Sequence, residues 1–159
     1  NSPLLGTSSN ELIKIKFEVD INSPKYANFK PQFKLLPAPY EVNLYDAPSL
    51  FSGKLHAVIC RSWKNRIKGR DLYDYVFYLS KGTQFNLPHL KERLVQTEAI
   101  APEKNLTIDD VKNMLIEKFD AIDYDQAKKD VIPFIKDTKS IDIWSANFFK
   151  AITQGLRCE

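Results

Sequence analysis

Tyr40-Glu41-Val42-Asn43-Leu44-Tyr45-Asp46-Ala47-Pro48-Ser49-Leu50-Phe51-Ser52-Gly53-Lys54-Leu55-His56-Ala57-Val58-Ile59 is where the chain changes period, and that change decides the fold class. Residues 40–45 read as a short strand, and the sheet stops near Asp46. From Ala47 the residues Leu50, Phe51, Leu55, Val58, Ile59 and Ser62 return at helical spacing, with Pro48 suited to the first turn. Upstream, residues 11–21 alternate. Ile13, Ile15, Phe17, Val19 and Ile21 share one face, opposite Leu12, Lys14, Lys16, Glu18 and Asp20, which predicts a half-buried strand ended by Asn22-Ser23-Pro24. Residues 32–36 form another short strand, separated from 40–45 by Pro37-Ala38-Pro39.

Downstream the pattern is helical throughout. Residues 70–80 turn Leu72, Val76 and Leu79 inward, and residues 90–99 form a further helix. Thr107-Ile108-Asp109-Asp110 resembles a capping box, with Asp in the usual Glu place, and starts a helix to about Asp120. Residues 124–136 are helical up to Pro133, which kinks or ends them. Ser140 is placed as the cap of the last helix, with Ile143, Trp144, Phe148, Ala151, Ile152 and Leu156 as its core stripe. Strands first and helices after give an α+β class: a small N-terminal antiparallel or mixed sheet followed by a bundle of about five helices. The expected division falls at residue 46, with 1–46 as the sheet portion and 47–159 as the helical domain.

The composition narrows the chemistry. With 159 residues there is room for one core, or one core and a small annex. The net charge of +3 is mild, so affinity for a nucleotide or nucleic acid must come from local clustering. Cys60 and Cys158 make no disulfide framework and fit a reducing cytoplasm. No apolar run approaches the roughly 18 residues of a membrane span. There is no Gly-rich phosphate loop, no dinucleotide fingerprint, and no Cys or His metal pattern. Gly6-Thr7-Ser8-Ser9 has no base to serve it, so acyl transfer has no support.

The clustering lies between Arg61 and Arg70, where five of ten residues are Lys or Arg and none is acidic. Asp71 and Asp74 follow at i, i+3 spacing, and Lys54 and Arg61, seven apart, share one stripe of the preceding helix. Two readings of each feature stay open. The basic run is either a solvated loop or a phosphate contact, with Trp63 available to stack on a base. Asp71 and Asp74 either serve an active site or pair with Lys54, Lys68 and Arg70 to fix two helices. Lys16-Phe17-Glu18-Val19-Asp20 is either a solvated strand face or a carboxylate source for a metal. His56 and His89 read as lone structural histidines.

The strand Lys16-x-Glu18, the helix Lys54-x-x-Ala57-x-x-x-Arg61 and the run Lys68-Gly69-Arg70-Asp71-Leu72-Tyr73-Asp74 together resemble the AbiEii/AbiGii toxin family. The tail, Asp130-Val131-Ile132-Pro133-Phe134-Ile135 followed by Trp144, Phe148 and Phe149, extends the resemblance to almost the whole chain. It implies a cytoplasmic nucleotidyltransferase-like toxin of bacterial abortive-infection or toxin–antitoxin systems, in the DNA polymerase β-like superfamily. Such a protein transfers a nucleotide from an NTP with Mg²⁺, in some members to an RNA end, and an antitoxin is a further expected partner. Position by position, Glu18 matches the metal carboxylate and Lys16 its partner, and Lys54 matches the lysine near the triphosphate. Arg70, Asp71 and Asp74 match the Arg-Asp-x-x-Asp motif. The expected catalytic set is thus Glu18, Lys54, Asp71 and Asp74; Lys16, Lys54, Arg61, Lys68 and Arg70 are the expected phosphate contacts.

One departure stands out. The family's Gly-Ser turn followed by Asp-x-Asp has no counterpart before Glu18. Together with a start that lacks Met, this predicts a C-terminal fragment without transferase activity of its own. The alternative readings are a helical RNA- or DNA-binding module using the basic loop, and an antitoxin-docking module using the C-terminal helices.

Overall fold

Side-chain caps set most of the helix starts. The computed structural model describes residues 17–63 and 67–159. The Asp46 carboxylate accepts from Ser49 N to open α1 (Ala47–Cys60), which has Pro in its first turn. α2 (Gly69–Ser80) begins at Lys68 with no side-chain cap. Asn86 accepts from His89 N to open α3 (Leu87–Gln96). At α4 (Ile108–Asp120) the capping box forms in full: Thr107 Oγ1 accepts from Asp110 N, and Asp110 Oδ2 accepts from Thr107 N. Asp123 caps α5 (Tyr124–Val131), which passes into a 3₁₀ turn, Ile132–Phe134, at Pro133.

α6 (Ala146–Thr153) is capped by Ser145, whose Oγ accepts from Phe148 N. The expected cap, Ser140, lies in a separate 3₁₀ turn, Thr138–Ile141, where its Oγ donates to Asp137 O. A helix that starts five residues later presents a different stripe. Trp144 and Leu156 are buried as expected, but Ile143 is 62% exposed. Phe149 and Thr153 fill the core instead. Phe149 lies 5.1 Å from the Phe119 ring and 5.7 Å from Tyr124, joining α6 to α4 and α5. Beneath it the buried Tyr75 hydroxyl meets Thr153 Oγ1 at 2.7 Å.

The strands are β1 (Phe29–Lys34) and β2 (Tyr40–Tyr45), paired antiparallel in one two-stranded sheet with Phe29 opposite Tyr45 and Lys34 opposite Tyr40. The class is therefore α+β: among the described residues, a two-stranded sheet followed by six α-helices. The expected strand over 11–21 is not present in its described part. Residues 17–20 have no regular structure and Ile21 lies in a bend. Phe17, Val19 and Ile21 are 84% exposed or more, because neither described strand lies beside them to bury that face. Residues 11–16 lie outside the described residues.

Polar side chains of α3 hold the segment before β1 against the helices. Asn86 Nδ2 donates to Tyr26 O at 2.8 Å, and Gln96 Nε2 donates to Asn22 O at 2.8 Å. His89 has no exposed surface; its Nδ1 donates to Lys25 O at 2.7 Å, and its Nε2 accepts from Arg93 Nε at 2.9 Å. These partners require a neutral imidazole with its proton on Nδ1.

Candidate functional site

The start of α2 is fixed by the lack of a side chain at Gly69. A Cβ there would lie 1.9 Å from Ala127 O on α5, so only glycine lets the two backbones approach this closely. The Lys-Gly-Arg-Asp run therefore has a packing reason for its Gly, and that packing sets where Lys68, Arg70 and Asp71 emerge. α1 lies against the same helix. Lys54 Nζ meets Asp74 Oδ2 at 2.6 Å, and Arg61 Nε meets Asp71 Oδ2 at 2.8 Å. Ascending positions on α1 meet descending ones on α2, so the two helices run antiparallel, joined by two ion pairs.

The two pairs differ in setting. Lys54 and Asp74 keep 39% and 35% of their side-chain surface in water. Asp71 is buried, and the Arg61–Asp71 contact is a charge contact off the hydrogen-bond line, since among the described residues neither Arg61 Nε nor Asp71 Oδ2 has a hydrogen-bond partner. Beside the Lys54–Asp74 pair, burial pushes the Tyr78 phenol up.

A cleft of about 460 Å³ opens at this junction. Lys54, Lys68 and Arg70 line it together with Asp71 and Asp74, and Tyr73, Val131, Phe134 and Ile135 supply an apolar wall. Arg70 reaches across to α5, 3.6 Å from Asp130 Oδ2, with its guanidinium 4.5 Å from the centre of the Phe134 ring. Among the described residues Lys68 is in no ion pair, and the N-terminus of α2 beside it carries no side-chain cap. Cations and an uncapped helix start on one wall suit an anion.

Not every predicted residue joins this cleft. Arg61 does not line it; its guanidinium is turned to Asp71 instead. Glu18 is exposed and does not line it either. Lys16 lies outside the described residues, as do Lys64 and Arg66 of the basic loop. Trp63 is not a stacking platform: it is 6% exposed and its indole N–H donates to Val58 O at 3.1 Å. Asp130 and Phe134 are the residues that sequence reasoning left out of the site. Their i, i+4 spacing was visible, but nothing in the pattern connects them to Arg70.

Among the described residues no three His, Cys, Asp or Glu side chains gather as a metal site. Asp71 and Asp74 each face a cation of the protein, which leaves them poorly suited to be the ligands of a divalent ion. The Asp123-Tyr124-Asp125 pair does not stand in, since Asp123 accepts from Asp125 N and Gln126 N as the α5 cap. The described residues thus form a wall rich in cations and do not fit a metal centre.

Residues 5–151 match the family described as nucleotidyl transferase AbiEii toxin, type IV toxin–antitoxin system. The chain belongs to that family. Comparison with curated proteins and with solved structures gives no match. The AbiEii assignment agrees with the cationic cleft, and no helix of the described residues is long and apolar enough to cross a membrane.

Proposed function

We propose that the cleft between α1, α2 and α5 holds the triphosphate of an NTP for nucleotide transfer by this AbiEii-family toxin. The observation that carries the reading is the convergence of Lys54, Lys68 and Arg70 on one cleft beside an uncapped helix start. Lys54 and Arg70 contact phosphate, with Lys68 beside them. Asp74 orients Lys54, and Asp71 binds Arg61 to stiffen the wall. Arg61 acts through Asp71 rather than on the ligand.

Mg²⁺ is the cofactor proposed for the transfer, with RNA as a candidate acceptor. Glu18 keeps its proposed metal role, and Lys16 its phosphate role, on the family motif alone. The described residues supply no metal site, so none of them is assigned a step of metal chemistry. Because the family's Asp-x-Asp motif has no counterpart before Glu18, this chain is proposed to bind polyphosphate without transferring nucleotide. The proposal also includes an antitoxin partner, a cytoplasmic setting, and a division of the chain at residue 46.

Calorimetric titration of the chain with an NTP and with inorganic tripolyphosphate tests the site. Lys54→Ala and Arg70→Ala should each weaken binding about tenfold, as for loss of one charge-assisted contact. Unchanged affinity in both variants would sink the reading. Incubation with labelled NTPs and RNA should give no incorporation, and incorporation at a rate that survives Lys54→Ala would show that the roles are misassigned.

A further inference from the structure

Arg70 stands on the first turn of α2, yet both side chains that hold its head group come from elsewhere. Asp130 is on the last turn of α5, and Phe134 follows one turn on, in the 3₁₀ segment. Both reach Arg70, one from the end of α5 and the other from the turn that follows it. Asp130 Oδ2 is buried and has no hydrogen-bond partner, with Arg70 Nε 3.6 Å away. The Phe134 ring covers one face of the guanidinium at 4.5 Å, although the ring itself is 64% exposed. A guanidinium held by a ring face and a distant carboxylate is confined in position while its N–H groups stay uncommitted. Among the described residues the Arg70 guanidinium donates no hydrogen bond; its contacts are the ion pair with Asp130 and the Phe134 ring.

We infer that Asp130 and Phe134 are positioning residues that clamp Arg70 over the cleft and keep its N–H groups free for an anionic ligand. The ligand half of this inference rests on the phosphate reading of the cleft; the clamp itself does not. Pro133 contributes by ending α5, so that Phe134 turns back toward α2 rather than continuing along the helix. A carboxylate near a phosphate site has two opposed effects. Coulomb repulsion makes Asp130 unfavourable for an anion, whereas confinement of Arg70 favours it. The sign of the substitution therefore separates a positioning role from simple competition.

Two measurements on chain 1–159 decide it. In ¹⁵N spectra the Arg70 Nε–Hε signal, assigned through its loss in Arg70→Lys, should be resolved and ring-current shifted. It should move to the solvent-averaged position in Phe134→Leu and in Asp130→Asn, and stay shifted in Phe134→Tyr. A wild-type signal already at the averaged position, or one that Phe134→Leu leaves in place, overturns the clamp. Phe134 is exposed, so that variant keeps its fold even if Asp130→Asn does not.

The second measurement is tripolyphosphate titration. Asp130→Asn should weaken binding about fivefold and should no longer weaken it in an Arg70→Ala background, where only the relief of repulsion is left. Tighter or unchanged binding in Asp130→Asn overturns the positioning role. If wild type, Lys54→Ala and Arg70→Ala all bind tripolyphosphate equally, the phosphate reading of the cleft fails instead. The Arg70 signal then still decides whether the clamp exists.

Discussion

The two flanks of α1 hold their neighbours by opposite means. Toward α2 the contacts are ionic: Lys54–Asp74 and Arg61–Asp71, with Arg70–Asp130 behind them. Toward α3 the contacts are neutral: Ser52 Oγ donates to Asn86 O and His56 Nε2 meets Thr97 Oγ1, while α3 in turn holds residues 25 and 26 through His89 and Asn86. The difference follows from water. Where solvent screens, charges cost little to keep and remain available to a ligand. Where it is excluded, a polar group must be hydrogen-bonded or, like Asp71 beside Arg61, held against an opposite charge. The flank built of charges is the one that carries the candidate site.

The strongest way to break the ionic flank is through its backbone rather than its charges. Gly69→Ala forces a methyl group against Ala127 O, and chemical denaturation should show a loss of about 3 kcal/mol as α2 and α5 separate. A loss below about 0.5 kcal/mol would mean the close approach is not required.

On the buried flank, His89→Ala removes the donor to Lys25 O and the acceptor of Arg93 Nε, for an expected loss of about 2 kcal/mol. Hydrogen exchange at residues 25–28 should rise with it, and unchanged protection there would contradict the anchoring of this segment by His89. Acidification attacks the same point. Burial lowers the His89 pKa, with Arg93 adding to it and the Lys25 carbonyl and Asp46 opposing. The unfolded imidazole, with pKa about 6.5, then takes its proton first as pH falls. Stability is full above that pH and drops below it, by up to about 1.4 kcal/mol per pH unit for the one group, until the folded imidazole titrates. His56 is lowered too, by burial and then Arg93, so His89→Ala should shrink the slope without abolishing it. A stability that is flat from pH 7 to 5 would refute this.

The smallest effect separates the flanks most sharply. Asp74→Ala removes a half-exposed partner of Lys54 and should cost under about 1 kcal/mol of stability. The same substitution should weaken tripolyphosphate binding, because Lys54 loses its orienting carboxylate. A larger loss of stability than in His89→Ala would invert the comparison between flanks.

Much of this was legible in the residues. The change of period at Asp46 placed the end of β2 and the start of α1, and Thr107 and Asp110 marked the start of α4. Pro133 ended α5 where proline chemistry requires. The Lys54, Lys68, Arg70, Asp71 and Asp74 cluster also lined one cleft, as the spacing along two adjacent helices implied. Residues 17–21 misled, because alternation records only what a strand would bury, and no described strand is there to bury it against. Ser140 misled because both it and Ser145 are good caps, and burial of Phe149 chose between them.

The sequence by itself determined local matters: periods, caps, breaks, and which charges lie within a few residues of each other. These depend on backbone geometry over one or two turns, which short-range chemistry controls. Only the tertiary structure decided that Arg61 turns to Asp71, that Trp63 is a core residue, and that Asp130 and Phe134 of α5 and its following turn hold Arg70 of α2. The last of these follows from how closely Gly69 lets α2 approach α5, a distance set by packing between elements some sixty residues apart and written in no local pattern.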